Sequence, residues 1–129
     1  MNSRRGLAAA EAAVCFPIIV LFALASIEAC SMINLKQSVT IAAYEGARTA
    51  NALGATSADV HSICQQIFSD RGINDASVTT TPAEIADASS GKYFTVSCDA
   101  GCGSNSLLPL WFYGESSRIT GRAEFLKKY

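Results

Sequence analysis

Between Glu11 and Glu28 the chain carries no charge, and this run, Ala12 to Ile27 (AAVCFPIIVLFALASI), constrains the fold more than any other feature. As a helix rising 1.5 Å per residue it extends roughly 24 Å, close to the hydrocarbon thickness of a bilayer. The flanking Leu7 to Ala10 make the span comfortable. Glu11 and Glu28 are the two charged residues from Leu7 to Leu35, and Arg4 and Arg5 lie just before them. Cytoplasmic flanks of membrane helices collect Lys and Arg, so this polarity predicts an N-terminus in the cytoplasm and a chain that has crossed the bilayer by Asn34. The expected organisation is a cytoplasmic leader over 1–6, a single transmembrane helix over 7–34 and an extracytoplasmic domain over 35–129. The lipid bilayer is the first partner implied.

Helical periodicity continues beyond the membrane. Leu35, Val39, Ala42, Gly46, Ala50 and Leu53 recur every three or four positions and form an apolar stripe lined with small residues. Glu45 and Arg48 are spaced for an i,i+3 ion pair. One helix is therefore expected from Leu7 to Asn51, with Pro17 as a local kink. Gly54 should stop it. Thr56 followed by Asp59 has the spacing of a capping box, opening a second helix over Ser57 to Asp70 with Val60, Ile63, Cys64, Ile67 and Phe68 on its apolar face and Gly72 as its stop. Three strand patterns follow: Ala76 to Thr81, ending at Pro82; Lys92 to Cys98; and Ser117 to Leu126. Phe94, Val96 and Cys98 share one strand face, and Ile119, Gly121, Ala123 and Phe125 share another. The fold class is α+β: a long N-terminal helix running into a small domain with a second helix and a three-stranded, mainly antiparallel sheet, packed on the second helix and the outer part of the first.

Composition narrows the function. Of 129 residues, the membrane segment leaves about 80 for a soluble core, a marginal size. Ten basic residues stand against 11 acidic ones with no basic patch, which argues against nucleic acid as a partner. No nucleophile–base–acid set, phosphate-binding glycine loop or metalloprotease motif is present, and one histidine leaves little material for acid–base catalysis, so neither an enzyme nor a cofactor is expected. Cys15 and Cys30 fall in the membrane segment. Cys64, Cys98 and Cys102 lie beyond it, where thiols oxidise, and one disulfide is expected among them. Cys98 and Cys102 are close in sequence, whereas Cys98 points toward the same core as Cys64; both pairings remain open. A Cys₃His metal site with His61 is disfavoured, because paired CxxC knuckles are missing.

The segment RRGLAAAEAAVCFPIIVLFALASIEACSMINLKQSVTIAAYEGARTA resembles the N-terminal region of TadE-like proteins, the minor pilins or pseudopilins of Tad/Flp pilus systems. The likeness rests on basic residues before Gly6, on Glu11, on Pro17 in the apolar run, on Ile27-Glu28, and on Ala42, Ala43, Glu45, Gly46, Ala47 and Arg48 in AAYEGAR. It implies a pilin-like fold with a type IV pilin-like N-terminus. It further implies cleavage by a prepilin peptidase after Gly6 to make Leu7 the new terminus, and pairing of Glu11 with a terminal amine, usually a neighbour's. The implied partners are other pilins and Tad membrane-platform components, and the implied role is pilus assembly, surface attachment and adhesion. Ala12 stands where many Tad pilins carry an aromatic residue. The chain is also longer than the major pilins, which points to a minor component.

Plainer readings accompany these. Ala23-Leu24-Ala25 is an acceptable signal-cleavage site before Ser26, but Glu11 and Pro17 fit a signal peptide poorly. Glu28 marks either the helix's exit from the bilayer or an inter-subunit contact. Gly46, among alanines, reads as a point of close helix packing. The apolar stretch Leu107, Leu108, Leu110, Trp111, Phe112 and Tyr113 either folds back to complete the core or forms a partner-binding patch. The alternative to a pilus role is a membrane-anchored or secreted binding module.

Overall fold

The computed structural model describes residues 2–85, 91–108, 113 and 116–127. Leu110, Trp111, Phe112 and the loop from Asp87 to Ser90 lie outside the described residues. Helix α1 (Asn2–Ala50) is followed by α2 (Ser57–Asp70), β1 (Ala76–Thr81), β2 (Tyr93–Gly101), the short α3 (Cys102–Asn105) and β3 (Arg118–Leu126).

Helix α1 runs 49 residues, roughly 73 Å at 1.5 Å per residue, and continues through Pro17. It ends at Ala50, one residue short of the expected boundary, and Gly54 follows with φ +77°. Leu53, placed on the apolar stripe by periodicity, therefore lies past the helix end and is 87% exposed. Met32, one turn below Leu35, takes a core position instead.

The ends of α2 are written locally. The Thr56 N–H donates to Asp59 Oδ2 at 2.9 Å and the Asp59 N–H donates to Thr56 Oγ1 at 3.3 Å, a reciprocal capping box. At the other end Gly72 adopts φ +63°, its N–H donates to the Ser69 carbonyl at 3.1 Å, and the Ile73 N–H donates to the Phe68 carbonyl at 2.9 Å. This is a Schellman closure, which needs a residue that accepts the left-handed conformation.

The sheet has the order β1-β2-β3, antiparallel throughout. Strand β2 runs three residues past the expected end, because Asp99, Ala100 and Gly101 find ladder partners in Thr120, Ile119 and Arg118 of β3. The register sets Phe94 opposite Phe125, Val96 opposite Ala123 and Cys98 opposite Gly121. The two predicted apolar faces thus merge into one sheet face. Helix α1 supplies most of its cover, packing on β2 and β3, while α2 lies against α1 and reaches the sheet at β1.

Two glycines set that packing. A Cβ on Gly121 would stand 2.5 Å from the Thr40 nitrogen and 2.6 Å from the Val39 carbonyl carbon, so β3 can cross the α1 backbone only without a side chain. A Cβ on Gly46 would lie 2.6 Å from Cys64 Sγ and 3.3 Å from a methyl of both Val60 and Val96. Gly46 is the seat where α1, α2 and β2 meet. The core is completed by Val39, Ala42, Ala43 and Ala47 of α1, Val60, Cys64 and Phe68 of α2, and Phe94, Val96, Cys98 and Ala100 of β2.

Candidate functional site

The first part of α1 projects from the domain. From Gly6 to Ile27 no residue is buried, although the segment is long and apolar enough to cross a membrane. Gly6, Leu7 and Glu11 all lie on this exposed stretch, and nothing approaches within 4 Å of a Cβ built on Gly6. Such a surface is stable only under lipid or under other apolar helices.

The domain begins to cover α1 at Glu28. This glutamate is 1% exposed, the first buried residue from Gly6 onward along the helix. Its Oε1 accepts from the Ser106 hydroxyl, and its Oε2 accepts from the Leu108 N–H at 3.1 Å. Both carboxylate oxygens of Glu28 are thus engaged within the chain, at the point where the domain begins to cover α1. The segment they hold is fixed from its other side by Asn105, whose amide nitrogen donates to the Asn74 and Gly101 carbonyls at 2.7 Å each. Asn105 Oδ1 accepts the Asn74 N–H at 2.8 Å. An open pocket of about 290 Å³ beside Glu28 is lined by Ala25, Ala29 and Tyr113 as well. Tyr113 and Leu108 are half-buried whereas Leu107 is 67% exposed, so the described part of the apolar stretch folds back over the helix exit with one leucine left outward.

The AAYEGAR motif divides by face. Ala42, Ala43, Gly46 and Ala47 are buried and let α2 and the sheet approach α1 closely. Glu45 and Arg48 form an exposed 3.6 Å pair, a contact of a type worth about 0.3–0.5 kcal/mol. Tyr44 is half exposed and meets Phe125 edge-on at 5.6 Å between ring centres. Packing within the domain thus accounts for the small residues of the motif, while Glu45 and Arg48 stay at the surface.

Cys64 and Cys98 are fully buried, with Cys64 Sγ donating to the Ala42 carbonyl at 3.3 Å, whereas Cys102 opens α3 at the far end of β2. Their mutual contact holds the Cys64 thiol below its ordinary range and pushes Cys98 well above it. Burial pushes Cys102 up, against the opposing effect of Arg118.

Sequence reasoning passed over the polar cluster across one end of the three-stranded sheet. Arg118 donates to Asp75 at 2.8 Å and to Asp99, and the Ser77 hydroxyl donates to Asp99 at 2.6 Å. Burial acts to raise the Asp99 carboxyl, but Ser77 and Arg118 hold it below the usual carboxylate range. Ser106 and Leu108 were equally invisible as partners of Glu28, since an acid inside an apolar run signals only that some partner exists.

An apolar N-terminal helix projecting from a small α+β domain defines a helix-anchored protein whose membrane segment and domain share one continuous element. Residues 6–48, one third of the chain, match the family model described as TadE-like protein, the family that the N-terminal pattern resembles. The match spans Gly6, Glu11, Glu28 and all of AAYEGAR. No curated protein and no solved structure gives a significant match.

Proposed function

We propose that the chain is a minor pilin or pseudopilin, a structural component of a Tad/Flp type IV-like pilus. It inserts once into the inner membrane with its N-terminus in the cytoplasm and its domain outside. A prepilin peptidase cuts after Gly6, and α1 then packs against other pilins and membrane-platform components. The role is assembly and surface attachment rather than catalysis.

One observation carries this reading: the exposed apolar part of α1 from Leu7 to Ile27 contains a single carboxylate, Glu11, and lies within the family match. A plain anchor has no use for that acid, which costs about 2.5–3.5 kcal/mol in the bilayer on the insertion scale for Asp. Cleavage after Gly6 would create an amine at Leu7 able to pair with Glu11 of a neighbouring subunit. Leu7 and Glu28 are separated by roughly 32 Å of helix, about one hydrocarbon thickness, which sets the Glu28 clasp at the outer boundary of the membrane.

The test uses the full chain in cells that make the pilus, with a photo-crosslinking residue at Phe22. The expected result is a mature terminus at Leu7 by mass spectrometry and crosslinks to other pilins that disappear in Glu11→Ala at unchanged abundance. An intact Met1 or a terminus at Ser26, with crosslinks indifferent to Glu11, would overturn the reading in favour of a simple anchored or secreted module.

A further inference from the structure

Cys64 comes from α2 and Cys98 from the middle of β2, elements joined by no direct turn. Their thiols lie together beside α1: Cys64 Sγ donates to the Ala42 carbonyl at 3.3 Å, and Cys98 is near enough that the two thiols perturb each other's titration. Both residues are 0% exposed. Cys102 is placed differently. Strand β2 stays extended through Gly101, whose φ of −69° and ψ of 131° carry the chain straight on into α3. At about 3.3 Å per residue, the Cys98 and Cys102 Cα atoms stand roughly 13 Å apart, well beyond the approximately 7 Å limit for a disulfide.

We propose that Cys64 and Cys98 form the disulfide of this protein, fastening α2 to the central strand and leaving Cys102 as a thiol. The oxidant is a disulfide donor of the thiol–disulfide exchange class. The Cys64 thiolate attacks one donor sulfur, the donor S–S bond breaks, and the leaving donor thiolate takes the proton given up by Cys64. The Cys98 sulfur then attacks Cys64 in the mixed disulfide, forming the S–S bond and releasing the second donor thiol with the Cys98 proton. Two protein thiols are oxidised and one donor disulfide is reduced to two thiols. The exchange precedes closure of the core, because in the folded domain both thiols are fully buried and out of reach of a donor. Gly46 closes over Cys64 Sγ, so the finished bridge is shielded from reductants. Formation of the bridge in cells rests on the proposed export of the domain; the pairing itself does not.

The full-length protein is refolded from denaturant into detergent in reduced and oxidised glutathione, then alkylated under denaturing conditions and mapped. Cleavage after Arg48, Arg71, Lys92 and Arg118 puts Cys64 on one peptide and Cys98 with Cys102 on another, and a second cut before Asp99 separates those two. The expected result is a Cys64–Cys98 linked peptide with Cys102 alkylated, lost in Cys98→Ser and retained in Cys102→Ser. A loop within the Cys98–Cys102 peptide, a Cys64–Cys102 link, or three alkylated thiols at high oxidised glutathione would overturn the proposal. Protein isolated reduced from its own membrane that nonetheless forms this link in glutathione supports the pairing and counts against export.

Discussion

The Leu108 N–H donates to Glu28 Oε2 at 3.1 Å, joining residues 80 positions apart at the place where α1 enters the domain. An acid that reads as a membrane-boundary mark is thereby the anchor of the α3–β3 connection. It holds Ser106 and Leu108 beside the end of the domain from which α1 projects.

Glu28→Ala should leave the Leu108 N–H without its acceptor in a part-buried site, whereas the Ser106 hydroxyl keeps the Leu108 carbonyl. Hydrogen bonds to charged groups contribute about 1.5–3 kcal/mol each, although relaxation and water recover part of this. A loss of about 1–3 kcal/mol in denaturant unfolding is expected, together with faster amide exchange at Leu108. Unchanged exchange at Leu108 would show that the clasp does not hold the segment in solution.

Gly121→Ala should destabilise the domain more than Gly46→Ala. The added methyl at 121 meets the α1 backbone at Thr40, 2.5 Å away, and backbone cannot step aside. At 46 the nearest atom is Cys64 Sγ at 2.6 Å, a side chain able to turn. Overpacking costs about 1–3 kcal/mol, and the larger figure belongs to Gly121. Thermal melts of the two variants in detergent provide the comparison. Gly6→Ala, where nothing lies within 4 Å, should melt like the parent.

Acid should weaken the domain through Asp99 and Asp59. Burial works against the lowering of Asp99, but Ser77 and Arg118 outweigh it; Asp59 is lowered by the Thr56 backbone N–H and then by its hydroxyl. A carboxyl with a folded pKa below its unfolded value, about 3.9 for Asp, stabilises the fold above that value. The contribution disappears as pH falls through the folded pKa. Stability from these groups should be level above about pH 5 and decline below about pH 4. In Asp99→Asn the decline should be shallower when unfolding is measured across pH 2.5–6.

Much of the fold was legible because its causes are local. The capping box at Thr56 and Asp59, the left-handed Gly72, the stripe from Leu35 to Ala50 and the alternation in β2 and β3 each depend on residues within a turn or two. The same holds for the N-terminal pattern that the TadE-like family model matches. The end of β2 was misplaced because the ladder partners that extend it belong to another strand.

What could not be read along the chain was the identity of distant partners. Nothing near Gly121 announces the α1 backbone at Thr40, nothing near Glu28 announces Ser106 and Leu108, and spacing left Cys98 between two partners. Those contacts exist only after α1 has been laid across the sheet, and closing such long loops is a cost that the whole core meets together. Local sequence therefore set which segments are helix and strand and which helix is apolar enough to cross a membrane. Tertiary packing settled which acid is buried, which glycine is indispensable and which cysteine faces Cys64, because each depends on surfaces that residues far apart in the chain create only by meeting.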